Sequence, residues 1–96
     1  FQDGTSLEAD ALLYALGRLA NVDGLKLENA GVEISKNGYV PVNALFQTVQ
    51  SNIYAVGDVI GGPCLASTSM EQGRLAARHA CGVETHHFPT FYPIGI

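Results

Sequence analysis

The chain has 96 residues, 47% of them hydrophobic and 15% charged, with a formal net charge of −4. This length suits one small domain, and the apolar content favours a packed core over disorder. The acidic balance argues against nucleic acid and anionic membranes as partners. No apolar run approaches the about 18 residues of a membrane span. The chain starts at Phe1 without an initiator Met, so we expect it to be one piece of a longer protein. Its two cysteines, Cys64 and Cys81, predict no disulfide framework, which favours a reducing cytoplasm.

The first half of the chain predicts short strands separated by turns. Residues 11–16 form a continuous apolar run, which is typical of a strand buried on both faces in a parallel sheet. One helical turn is expected around residues 25–29. The pair Asn37-Gly38 then predicts a hairpin between residues 32–35 and 39–42, because both residues tolerate positive φ.

The second half predicts a strand, a loop and a helix. Residues 53–59 form another buried-strand candidate, and a Gly/Pro loop follows at residues 61–63. Thr68 and Glu71 fit a capping box for a helix over residues 69–81, in which each side chain serves the other residue's N–H. Gly82 stands where a C′ glycine ends a helix.

The strand, loop and helix together predict a ligand site. Asp58 would lie at the carboxyl end of a buried strand, where open α/β sheets place their ligands. Gly57 has no Cβ and would let a ligand approach the backbone. The helix N-terminus would offer N–H groups and a partial positive charge. This suits a ligand with hydroxyl groups and an atom that becomes negative. The alternative is an Asp58 that caps a turn beside an ordinary surface helix.

Three segments resemble those of one enzyme family in order and spacing. Residues 48–61, Thr-Val-Gln-Ser-Asn-Ile-Tyr-Ala-Val-Gly-Asp-Val-Ile-Gly, resemble the second FAD fingerprint of the flavoprotein disulfide-reductase family, the class I pyridine nucleotide-disulfide oxidoreductases. Residues 65–66 and 71–77 continue the similarity. Upstream, residues 10–18 resemble the Ala-x-Gly-Arg segment near the end of the family's NAD(P)-binding domain.

The resemblance implies an α/β fold, namely part of an FAD/NAD(P)-binding Rossmann-like fold. Residues 1–20 would end the NAD(P)-binding domain, residues 21–84 would form the C-terminal part of the FAD-binding domain, and residues 85–96 would lead into a dimerisation domain. The full-length protein would then be a homodimer. The family's Arg-x-Pro-Asn continuation is here Arg18-Leu19-Ala20-Asn21, and the missing Pro concerns the loop rather than the chemistry.

The resemblance also implies the cofactors FAD, NAD and NADP and a set of binding residues. Asp58 would bind the ribityl chain of FAD, and Ala66 would contact the flavin through its backbone. No catalytic side chain and no metal ligand is expected within this sequence. The full set of cofactor-binding residues is Ala15, Leu16, Gly17 and Arg18 on the nicotinamide-nucleotide side, and Gly57, Asp58, Leu65 and Ala66 on the flavin side.

Within the family, the chain looks most like the transhydrogenase branch. Residues 47–50, 59–63 and 65–67 are similar to that branch, and Ser67 replaces a His that is usual in lipoamide dehydrogenases. The implied activity is FAD-dependent hydride transfer between NADPH and NAD⁺. Dihydrolipoamide dehydrogenase or a related disulfide reductase is the first alternative, since any redox-active Cys pair would lie outside this sequence. A stand-alone, non-catalytic nucleotide-binding module is the second.

The remaining candidate ligands favour plain roles. Cys64 and Cys81 form neither a CxxC motif nor a disulfide framework, and they match no redox cysteine of the family. His86 and His87 are adjacent, so their side chains point apart and do not form a metal site. Both are expected in a linker.

Overall fold

The computed structural model describes residues 2–85. In that range there is one α-helix, α1, which spans Ala66–Ala80, and there are two 3₁₀ helices, Leu27–Ala30 and Gly57–Ile60. An isolated antiparallel bridge joins Gln47 and Tyr54. No strand occurs among these residues, and none of their helices has the length and apolar character to cross a membrane. His86, His87 and the end of the expected linker lie outside the described range.

Helix α1 forms because its apolar and small side chains share one face. Its buried residues recur at helical spacing: Thr68, Gln72, Leu75 and Ala76. The end of the helix is as the sequence predicts. Gly82 has φ 68° and donates its N–H to the His79 carbonyl at 3.0 Å, while the Val83 N–H reaches the Arg78 carbonyl at 2.9 Å. This pair of bonds is a Schellman motif, which a C′ glycine permits.

The predicted capping box at the start of α1 is wrong. The helix begins at Ala66, and its N-cap residue Leu65 makes no side-chain capping bond. The Ser69 N–H and hydroxyl both donate to the Leu65 carbonyl, at 3.0 and 3.1 Å. The helix therefore closes on Leu65, which places Thr68 inside the first turn. Glu71 pairs instead with Arg74, at 2.6 Å.

Two apolar clusters form the core, with residues 53–56 extended between them. Because side chains of an extended chain alternate between its two sides, Ile53 and Ala55 pack on the first cluster, and Tyr54 and Val56 on the second. The buried residues of the first cluster are Val22, Val32 and Val40, and those of the second are Phe46, Leu75 and Ala76.

The predicted strand at residues 53–59 is thus an extended segment that does not become a strand. The Ala55 N–H donates to the Phe46 carbonyl at 3.0 Å, and the Thr48 N–H donates to the Ile53 carbonyl at 2.9 Å. These bonds hold the isolated bridge. Gly57, with φ 76°, then turns the chain into the second 3₁₀ helix, which ends the pairing with residues 46–48.

The predicted strand at residues 11–16 is also absent. Its side chains are exposed, with 91% of Leu12 and 80% of Leu16 accessible to solvent. A strand of a parallel sheet takes its backbone hydrogen bonds from neighbouring strands, and the described residues provide none. The apolar run is therefore an extended, uncovered segment.

The predicted hairpin is reduced to its turn. The Ser35 N–H bonds to the Tyr39 carbonyl at 2.8 Å, and Gly38 takes φ 82°. The pairing stops there because the Val40 N–H donates to the Val59 carbonyl, at 3.0 Å. The helical turn expected near residues 25–29 is present as the first 3₁₀ helix.

Candidate functional site

The turn that carries Asp58 lies against the first turn of α1. Gly57 starts the second 3₁₀ helix in the left-handed region, with φ 76°. A Cβ at this position would lie 2.9 Å from Oγ of Ser69. The close approach of the helix therefore explains by itself why position 57 is a glycine. The sequence pattern had suggested that a ligand approaches the backbone there.

A buried hydrogen bond ties the same turn to the middle of the helix. Oε1 of Gln72 accepts the Gly57 N–H at 2.6 Å, and both residues are buried, Gln72 with 6% exposure. Gln72 was not among the residues expected to form the site. The available signal was a polar residue on the buried helix stripe, spaced one turn from Thr68.

Arg18 approaches Asp58 from the exposed N-terminal segment. Nε of Arg18 lies 3.2 Å from Oδ2 of Asp58, and the two side chains are 73% and 43% exposed. Solvent-exposed ion pairs contribute little stability, so a ligand group could replace Arg18 beside Asp58 at a small cost in free energy. An ionised carboxylate accepts several hydrogen bonds, so Asp58 has acceptor capacity beyond this pair.

The ion pair lines an open cleft of about 270 Å³. This volume is just below that of a drug-sized pocket, which starts near roughly 300 Å³, and it suits one portion of a larger ligand. Two of the predicted binding residues, Arg18 and Asp58, meet here, whereas Ala15, Leu16 and Gly17 do not line the cleft. The lining residues are Arg18, Leu19, Ala20, Asn21, Tyr39, Asp58, Val59 and Cys64.

Leu65 and Ala66 lie at the start of α1, where the Ala66 N–H has no partner within the helix and the Leu65 N–H donates to the Pro63 carbonyl at 2.9 Å. Ala66 is exposed and Leu65 is half-buried. Thr68 follows in the same turn, 1% exposed, and its Oγ1 has no hydrogen-bond partner among the described residues. Backbone donors and an orphaned hydroxyl thus share this end of the helix.

The arrangement offers hydrogen-bond acceptors and donors without a metal centre among residues 2–85. Asp58 can accept from hydroxyl groups, and the helix start can donate to an electron-rich atom. These donor and acceptor types fit a ligand with the polyol and polar ring of FAD. Cys64 and Cys81 are free and exposed, and the described part of the chain contains no cluster of three or more His, Cys, Asp or Glu side chains placed to hold a metal ion.

Comparison with curated proteins finds relatives over nearly the whole chain. It is 51% identical over 96 residues to a soluble pyridine nucleotide transhydrogenase from Erwinia tasmaniensis, with 99% of this chain and 21% of the relative covered. It is 50% identical over 93 residues to the Mycobacterium tuberculosis protein of that name, covering 97% of this chain and 20% of that one. The chain therefore spans about a fifth of the length of these relatives.

Solved structures and family models agree with these matches. The fold is similar to the crystal structure of LpdA from Mycobacterium tuberculosis, with a TM-score of 0.78 and 34% identity over 91% of this chain and 19% of that one. The family model described as pyridine nucleotide-disulphide oxidoreductase matches residues 1–73. With its Gly57-Asp58 turn packed on the start of α1, this chain belongs to the pyridine nucleotide-disulphide oxidoreductase family of Rossmann-type FAD- and NAD-binding proteins.

Proposed function

We propose that this chain forms part of the flavin site in a longer polypeptide that transfers hydride between NADPH and NAD⁺ with FAD. The observation that carries the proposal is the packing of the Asp58 turn on the first turn of α1, beside an open cleft. The names of the relatives that match nearly all of this chain support the transhydrogenase activity.

The proposed roles follow from the chemistry of each group. Asp58 accepts a hydrogen bond from a ribityl hydroxyl, since its side-chain oxygens are acceptors and 43% of the side chain is accessible. Ala66 brings its backbone N–H to the flavin ring at the positive end of the helix dipole, which favours negative charge there, and Leu65 contacts the ring beside it while its own N–H donates to the Pro63 carbonyl at 2.9 Å. FAD, when bound, supplies the hydride-transfer chemistry.

The nicotinamide nucleotide would approach from the N-terminal segment. In this proposal Ala15, Leu16 and Gly17 contact the nucleotide, and Arg18 lies between that nucleotide and Asp58 at 3.2 Å from the carboxylate. NADPH gives up a hydride to become NADP⁺, and NAD⁺ accepts it to become NADH. The proposal includes a homodimeric full-length protein, cytoplasmic localisation and the domain limits given above.

A disulfide reductase is the second candidate because the family includes both kinds of enzyme. The structural similarity to LpdA, at 34% identity, favours keeping it. Cys64 lines the cleft, whereas Cys81 is the C-cap residue at the other end of α1. Neither forms a disulfide in the structure. A reductase therefore needs a Cys pair elsewhere in the polypeptide.

The test uses the full-length polypeptide purified with its flavin. NADPH and a spectroscopically distinct NAD⁺ analogue are mixed with it, and reduction of the analogue is followed without any disulfide substrate. We expect NADPH to reduce the NAD⁺ analogue, and we expect this reaction to stop when FAD is removed and to resume when FAD is restored. Turnover with lipoamide or another disulfide, and none with the NAD⁺ analogue, would transfer the assignment to the reductase class.

A further inference from the structure

Gln72 is a buried polar residue on a helix face that is otherwise apolar or small. Its Oε1 is 2.6 Å from the backbone nitrogen of Gly57. Leu75 and Ala76 on the same face pack into the second apolar cluster. The side-chain oxygen of Gln72 therefore accepts a hydrogen bond from the backbone of the turn that carries Asp58.

That bond is costly to lose because the N–H of Gly57 is enclosed. A buried backbone donor without an acceptor carries the full cost of its desolvation. Gly57 also takes φ 76°, and a Cβ there would lie 2.9 Å from the Ser69 Oγ, so the helix leaves little room beside this turn. The orientation of the next residue, Asp58, is consequently set by a side chain of α1.

We propose that Gln72 is a positioning residue for the flavin site, acting on Asp58 through the Gly57 N–H. The inference rests on the proposed function and adds a residue to it. With the hydrogen bond in place, the Asp58 carboxylate is already oriented at the cleft in the ligand-free protein. Without it, the turn samples other orientations, and binding must include the free energy of restoring the productive one.

The experiment compares three variants of the full-length polypeptide stripped of flavin. Gln72→Leu removes the acceptor and leaves an apolar side chain that is one atom shorter. Gln72→Glu retains an acceptor oxygen at the same position. Ala76→Gly, on the same buried face, weakens α1 without touching Gly57. FAD affinity is measured by fluorescence quenching well below each variant's melting range, and thermal melts of the flavin-free proteins are recorded in parallel.

We expect Gln72→Leu to raise the Kd for FAD about tenfold, the effect of losing one buried hydrogen bond. Gln72→Glu should restore most of the affinity, and Ala76→Gly should lower the melting temperature with an unchanged Kd. A Kd that is unchanged in Gln72→Leu, or one that rises equally in Ala76→Gly, would assign Gln72 to stability alone and overturn the inference. Asp58→Ala serves as the reference: if it too binds FAD like the parent, the proposed flavin site fails, and the inference fails with it.

Discussion

Gly57 and Ser69 approach so closely that a Cβ at position 57 would lie 2.9 Å from the Ser69 Oγ and 3.3 Å from its Cβ. The turn that carries Asp58 and the first turn of α1 therefore interlock through a residue without a side chain. A single added methyl group at position 57 would disrupt this packing.

Gly57→Ala should destabilise the full-length protein by about 2–5 kcal/mol, since a left-handed non-Gly residue costs about 1–2 kcal/mol and overpacking costs about 1–3 kcal/mol. Adding Ser69→Ala should recover part of the overpacking cost but none of the backbone cost. Denaturant unfolding of the two single variants and the double variant measures the coupling. Strictly additive effects would show that the Cβ avoids Ser69.

Asp58→Ala should weaken FAD retention by about 1.5–3 kcal/mol, through loss of a hydrogen bond to a charged acceptor. Bound flavin is measured by absorbance after dialysis. Arg18→Gln is the matched control, because it removes the ion pair and leaves the carboxylate in place. Full flavin occupancy in Asp58→Ala would show that the Asp58 carboxylate does not bind FAD.

Thr68→Val should leave stability unchanged or raise it by up to about 1 kcal/mol, since a buried hydroxyl without a partner is replaced by a methyl group of the same shape. A capping Thr would behave in the opposite way, with a loss of about 1 kcal/mol. Thermal melts of the flavin-free full-length protein distinguish the two, with Ser67→Ala, in the same turn, as a control for helix propensity. Destabilisation of Thr68→Val would mean that its hydroxyl has a partner after all.

Tyr54→Phe should destabilise the protein by about 0.5–1.5 kcal/mol, the net value of one hydrogen bond. The Tyr54 hydroxyl lies 2.8 Å from Nδ1 of His79, so the bond ties the isolated bridge to the last turn of α1. His79→Ala should have a similar effect, and the double variant should lose less than the sum of the two. Urea unfolding of all three supplies the cycle, and a zero coupling energy would contradict the bond.

Residues 1–96 expressed alone should neither bind FAD stably nor melt cooperatively. The apolar side chains of the N-terminal segment are uncovered, with Leu12 91% and Leu13 89% exposed, and uncovered apolar surface promotes association. A dinucleotide also draws on a Gly-rich phosphate turn that this sequence lacks. Thermal melts and flavin fluorescence test this. A sharp melt that rises with added FAD would instead support a stand-alone binding module.

Local chemistry in the sequence was enough to predict several features. Gly82 ends α1 because a C′ position requires positive φ, and Gly38 makes its turn for the same reason. The family could be identified because its motif at residues 48–61 is contiguous. The domain limits and the binding roles remain predictions.

Other features depended on contacts between distant residues. The apolar runs at residues 11–16 and 53–59 predicted strands, yet a strand exists only where neighbouring backbone completes its hydrogen bonds. The start of α1 at Ala66 is a local feature that the capping pattern mispredicted, because the Leu65 carbonyl accepts from Ser69, four residues along the chain.

The sequence alone determined which chemical groups the site contains, since the Asp58 carboxylate and the glycine before it belong to a contiguous motif. The tertiary structure decided what holds those groups in place: Gln72 on the Gly57 N–H, Ser69 against the Gly57 backbone, and Arg18 beside the carboxylate. The physical reason is that a conformational preference acts within a few residues, whereas each of these contacts joins residues that meet only when the chain has folded.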